Sequence, residues 1–137
     1  MRAVVDTSLW IDAWRGDVTE AEKQLIGDLW RLDGVVLPQW VWLELQVGLR
    51  SPAERAYLLD LRAVSQWEPL TETDGVEAEQ LATRLRGKGV VLSAGDLLIL
   101  TVAHRLSLPM LHHDEDFTRV LKLPDFAALR VGWKNHQ

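Results

Sequence analysis

The stretch VVDTSLWID, residues 4–12, decides how the chain is read, because an apolar run suited to a buried strand ends in a carboxylate, Asp6. A strand covered on both faces shows a continuous apolar run, whereas a strand with one wet face alternates. A second run, LPMLHHDEDF at residues 108–117, reaches Asp114 in the same way. Between them, GVVLP (34–38) and WEPL (67–70) are further short strands, and ALRV (128–131) is a last one. The intervening segments carry apolar residues at helical spacing. TEAEKQLIGDLWRL (19–32) has Thr19 and Glu22 in the capping-box arrangement, and a short helix begins near Thr7. QWVWLELQVGL (39–49) is apolar almost all round and therefore internal. Helices are also expected at AERAYLLDLRAV (53–64, after Pro52), DGVEAEQLATRLRGKG (74–89, stopped by Gly87 and Gly89), SAGDLLILTVAHRL (93–106) and EDFTRVL (115–121).

Short apolar strands alternating with helices predict an α/β fold: one domain over residues 1–137, with a parallel sheet covered by helices on both faces. Ligands of such sheets bind beyond the carboxyl ends of the strands. A chain of 137 residues suits a single core that hides roughly two-thirds of its unfolded surface. No apolar stretch is long enough for a membrane helix, and the N-terminal residues lack a signal-peptide pattern. Cysteine is absent, which excludes disulfides and thiolate metal sites and fits a cytoplasmic location. The net charge of -5 disfavours a general nucleic-acid binder but leaves room for an enzyme that touches a few phosphates through bound cations. Seven tryptophans favour core filling plus a self-association surface, with base stacking as the lesser reading.

The acids carry the chemistry. Asp6 and Asp114 each end a parallel strand and share the carboxyl edge of the sheet. Asp96 opens the helix that precedes the strand of Asp114, so its segment starts and finishes at that edge. Glu44 lies on an apolar helix, where an acid is costly unless paired or bound to metal, and Gly48 one turn later would admit another backbone. Each acid also has a local explanation: Asp6 and Asp114 as helix caps, Asp96 in a capping box with Ser93, Glu44 paired with an arginine, Asp12 facing solvent. Carboxylates gathered in one crevice would take up protons or bind a cation, and oxygen-only ligation favours Mg²⁺, with Mn²⁺ as the alternative. Of His112 and His113, at most one points to the side of Asp114. His104 faces solvent or packs at a helix surface, His136 lies in the tail, and none is read as a catalyst.

VVDTSLWID, LELQVGL around Glu44, SAGDLLILTVAHRL around Asp96 and LHHDEDF around Asp114 together resemble the PIN-domain ribonucleases, and among them the VapC toxins of prokaryotic toxin–antitoxin systems. The resemblance spans essentially the whole chain. It implies about five parallel strands sandwiched by helices, and an Mg²⁺- or Mn²⁺-dependent endoribonuclease with an RNA substrate. It further implies a homodimer silenced by a cognate antitoxin. On this resemblance Asp6, Glu44 and Asp96 match the most regular acids of the family, Asp114 the fourth, and Asp116 an assisting one. Thr7 or Ser8 matches a hydroxyl bordering the site. Asp6, Glu44, Asp96 and Asp114 would be catalytic, and with Asp116 they would form the metal site. Asp6 and Asp96 would hold the main ion and Glu44 the attacking water, leaving a 5′-phosphate and a 3′-hydroxyl. His112 departs from the pattern, since many relatives carry Thr or Ser there. Two other readings of the acids are a phosphoacceptor receiver domain, for which Lys134 comes too near the end to precede a final helix, and a non-catalytic interaction module. A haloacid-type phosphatase would need a second acid two residues after Asp6, where Ser8 stands.

Overall fold

The computed structural model describes residues 1–131. Lys134 and His136 lie outside the described residues. The elements run β1 (Ala3–Val5), α1 (Thr7–Arg15), α2 (Glu20–Arg31), β2 (Val35–Pro38), α3 (Gln39–Val47), α4 (Pro52–Val64), β3 (Gln66–Glu68), α5 (Glu72–Gly87), α6 (Ala94–Leu106), β4 (Met110–Leu111) and α7 (Glu115–Leu121).

The described residues form a parallel sheet of four strands in the order β3-β2-β1-β4. Every residue of β1, β2 and β4 is buried. Since strand side chains alternate between faces, both faces of the sheet are covered, as the continuous apolar runs require. From β1 the chain proceeds outward through β2 to β3, then returns to place β4 on the other side of β1. The order therefore reverses between β1 and β4, and a crevice opens at such a switch point beyond the carboxyl ends. The residues that follow β1 and β4 are Asp6 and the segment His112–Asp114.

Local chemistry sets the helix ends. Thr19 and Glu22 form the reciprocal capping box at α2. Helix α5 begins two residues before the expected Asp74, because Thr71 caps it and Asp74 closes a second box. The same Asp74 is fully buried and takes a two-point contact from Arg105, Nε at 2.8 Å and a terminal nitrogen at 3.0 Å, while Arg105 also reaches Glu68 at 2.7 Å. This charged cluster ties α5, α6 and β3 together. Residues Ile99–Ala103 of α6 are buried in succession, so that helix is internal, and α5 packs along it.

Two expectations change. ALRV is not a strand: Pro124–Leu129 forms a 3₁₀ helix instead. Phe126 and Leu129, three residues apart, are both buried, which matches the three-residue turn rather than strand alternation. Arg130 then folds back to donate to the carbonyls of Leu121, Lys122 and Leu123 at the end of α7. Helix α3 is also less internal than its composition suggests. Val41 and Leu45 are buried, but Leu43 and Val47, one turn apart, are 47% and 82% exposed.

Candidate metal centre

Asp6 leaves β1 and caps α1 in one step. Its backbone N–H donates to Leu111 O at 2.8 Å, which locks it to β4. One carboxylate oxygen accepts from the Ser8 N–H (3.2 Å) and the Ser8 hydroxyl (2.5 Å). The same hydroxyl accepts from the His113 N–H at 3.1 Å, so Ser8 bridges the ends of the two strands flanking the switch point. Thr7, its neighbour, donates to Glu44 Oε1 at 2.8 Å and thereby fixes α3 against α1. Glu44 is thus held by a hydroxyl, and no arginine contact to it is among the described ion pairs. Asp96 sits in the first turn of α6, its N–H donating to Ser93 Oγ at 3.1 Å. Asp114 caps α7 by accepting from the Asp116 N–H at 2.8 Å, and Arg119 contacts Asp116.

The local cap readings of Asp6 and Asp114 are therefore correct, and they do not compete with a shared site. A cap needs one carboxylate oxygen, and the same geometry turns the acid toward the carboxyl edge. Asp96, Asp114 and Asp116 each offer an oxygen within 4.8 Å of the other two. Asp6 and Glu44 are near enough to act electrostatically: Asp6 feels Asp96 and Glu44 as repulsive charge, and Asp96 feels Glu44. Burial pushes Asp6 up to about 6 from its ordinary 3.8, against the Ser8 hydrogen bonds and helped by the charges of Asp96 and Glu44. Burial likewise raises Asp96, with Asp114, Glu44 and Asp116 adding repulsion. The structure thus brings Asp96, Asp114 and Asp116 within ligand distance of one another, while Asp6 and Glu44 act on Asp96 or on each other as nearby charges.

The close approach expected at Gly48 occurs elsewhere. A β-carbon at Gly48 would meet only its own helix, Glu44 O at 3.6 Å. At Gly95 it would lie 2.6 Å from Trp40 Nε1 and 3.6 Å from Glu44 Oε2. Only a bare α-carbon lets the start of α6 press onto α3, which is how Asp96 and Glu44 come together.

The histidines divide as strand alternation requires. His112 turns inward beside Phe117, ring centroids 5.6 Å apart, and its Nδ1 accepts from the Asp114 N–H at 3.2 Å. His113 turns the other way and contacts Asp12 (Nδ1, 2.6 Å) and Glu22 (Nε2). Asp12 is therefore engaged rather than solvent-facing. This clasp joins α1, α2 and the end of β4, and its sequence signal was hidden because Glu22 already had a role in the capping box. Burial opposes the charge on His113, but the two acids outweigh it and raise its pKa. Glu22 is pushed up by burial, yet hydrogen bonds from Thr19 and His113 hold it below its ordinary 4.5. His104 packs edge-on against Phe126, as a helix-surface residue.

Carboxylates from β1, α3, α6 and α7 at the edge of a short parallel sheet invite a family comparison. The PIN domain family matches the chain over residues 3–123. The chain belongs to this family. Solved structures similar to this PIN domain include VapBC2 of Rickettsia felis bound to a DNA fragment from its promoter (TM-score 0.72, 18% identity, 91% of this chain and 95% of that one). FitAcB of Neisseria gonorrhoeae gives 0.70 at 19% identity, covering 93% and 92%. A toxin–antitoxin complex of Klebsiella pneumoniae gives 0.69 at 18%, covering 90% and 93%. At these identities the likeness is one of fold, over nearly the full length of each chain. The PIN domain's donors at the crevice are all carboxylate oxygens, and Asp6 and Asp96 are held there against burial and mutual repulsion. A hard divalent cation would relieve both, so the residues present fit Mg²⁺ or Mn²⁺.

Proposed function

We propose that the chain is an endoribonuclease dependent on Mg²⁺ or Mn²⁺, and the toxin of a type II pair neutralised by a cognate antitoxin. The observation that carries this reading is the trio Asp96, Asp114 and Asp116 in a PIN domain, with an oxygen of each within 4.8 Å of the others and with Asp6 and Glu44 adding negative charge nearby. Asp96, Asp114 and Asp116 would hold the ion, with Asp6 completing its charge from the side of β1. When bound, the ion supplies charge neutralisation for the scissile phosphate and lowers the pKa of adjacent water. Glu44 orients the attacking water, and Thr7 decides which of its oxygens is free by occupying the other. In-line attack leaves a 5′-phosphate and a 3′-hydroxyl.

The similar solved structures support an antitoxin partner, since the one from Klebsiella pneumoniae is a toxin–antitoxin complex. Dimerisation is supported by Leu43 and Val47, an exposed apolar stripe on α3. A cytoplasmic location agrees with the absence, among the described residues, of any helix long and apolar enough to cross a membrane. The test is cleavage of cellular RNA by the purified chain in Mg²⁺, in Mn²⁺ and in chelator. Glu44→Gln should lower the rate by about a hundredfold or more, and sequencing should find 5′-phosphates at the cut ends. Cleavage that persists in chelator, or at the full rate in E44Q, would remove this assignment.

A further inference from the structure

The candidate metal centre is short of positive charge. The trio Asp96, Asp114 and Asp116 carries more negative charge than one divalent ion balances, and Asp6 and Glu44 add to it nearby. A substrate phosphate brought to such a place is still repelled. Among the described ion pairs, one cation touches any of these acids: Arg119, on Asp116 Oδ1. The two residues lie three apart on α7, in its first and last turns. Phe117 and Val120 are fully buried and Leu121 nearly so, which fixes the roll of the helix and leaves Asp116 and Arg119 on its outward side. Asp116 is at the same time one of the trio whose oxygens converge within 4.8 Å. The guanidinium therefore sits on a candidate metal ligand, and its side chain is 61% exposed against 41% for the acid. An exposed pair of this kind holds loosely and exchanges partners readily.

We propose that Arg119 is a substrate contact released by metal ligation: once Asp116 ligates a divalent ion, Arg119 leaves it and donates to the non-bridging oxygens of the RNA phosphate at the centre. The inference rests on the ribonuclease reading and adds a residue to its site. A carboxylate that shares its charge with a cation attracts a guanidinium less, and the cation itself repels the guanidinium. The phosphate offers two oxygens sharing a charge, and a guanidinium meets them with parallel N–H donors, which an ammonium cannot do. The other role open to Arg119 is to steady Asp116 as a ligand. The two roles differ in sign, because a competing cation hinders metal binding and a steadying one helps it.

Measurements on the full chain separate them. Mn²⁺ affinity, read without RNA by titration calorimetry, should be about two- to fivefold tighter in Arg119→Ala than in wild type, the range for loss of an exposed competing pair. Binding of a short fluorescent RNA is read in the Glu44→Gln background. In Mn²⁺ it should weaken by about tenfold or more when Arg119→Ala is added, the range for loss of a charge-assisted contact. In chelator, where Asp116 keeps the guanidinium, the added change should have little effect. Cleavage in Mn²⁺ should fall in Arg119→Ala, and Arg119→Lys should recover part of it by keeping the charge without the fork. Thermal melts in chelator establish that these exposed variants are folded. Weaker Mn²⁺ binding in R119A alongside slower cleavage would make Arg119 a support of the metal ligand and overturn the proposal. An equal loss of RNA binding in chelator would overturn the release by metal. RNA binding and cleavage at wild-type levels in R119A would remove the contact while leaving the ribonuclease intact. A wild-type chain that cuts no RNA would overturn both.

Discussion

Replacing Asp6 with Asn should make the metal-free protein more stable and the metal-loaded protein less so. Asp6 is 3% exposed, and its pKa rises from 3.8 in the unfolded chain to about 6 on folding. A carboxyl whose pKa rises on folding binds more protons in the native state, so stability falls as pH rises through that window and levels off above it. A shift of about two units corresponds to about 3 kcal/mol of penalty carried by the ionised form. Asn keeps an acceptor for Ser8 but must house an amide NH₂, so the net gain expected above pH 7 is about 1–3 kcal/mol, or roughly 3–10 °C in Tm. Near pH 4, where the wild-type carboxyl is protonated, the gain should vanish. Adding Mn²⁺ at about a hundred times its Kd should stabilise wild type by about 2.7 kcal/mol and D6N far less. Thermal melts in chelator and in Mn²⁺, at pH 4 and pH 8, give all the values. If D6N is no more stable than wild type in chelator at pH 8, the burial argument is wrong. If it gains as much from Mn²⁺, Asp6 is no part of the metal site.

Gly95→Ala places a methyl 2.6 Å from Trp40 Nε1, and prying α6 from α3 should cost about 1–3 kcal/mol and lower kcat/KM by separating Asp96 from Glu44. Unchanged activity would mean that the two acids do not act together. The clasp around His113 predicts a pH signature in urea midpoints. A His whose pKa is raised on folding stabilises below its ordinary 6.5 and loses that contribution as pH climbs through its elevated value. Glu22, lowered, contributes above 4.5 and loses that contribution as pH falls through its depressed value. The deficit of His113→Ala should therefore be widest between pH 4.5 and 6.5 and shrink at alkaline pH. A deficit independent of pH would reduce the clasp to packing.

The order of elements, the parallel sheet and the candidate acids were legible in the sequence because each leaves a local trace. Continuous apolar runs mark doubly covered strands, capping residues mark helix starts, and an acid after a buried strand marks the carboxyl edge. The same locality misled at ALRV, whose apolar residues suit a strand but are buried three apart in a 3₁₀ turn, and at α3, whose apolar Val47 ends up in water. What only the tertiary structure decided is which oxygens face one another. The trio Asp96, Asp114 and Asp116, the bridging hydroxyl of Ser8 and the contact of Gly95 with Trp40 join residues far apart in the chain or on separate elements. The His113 clasp belongs to the same class, since Asp12 and Glu22 lie some hundred residues upstream. Sequence periodicity reports on which side of its own element a residue lies. The facing of two elements is settled by packing in three dimensions, where a single missing β-carbon decides whether two carboxylates meet.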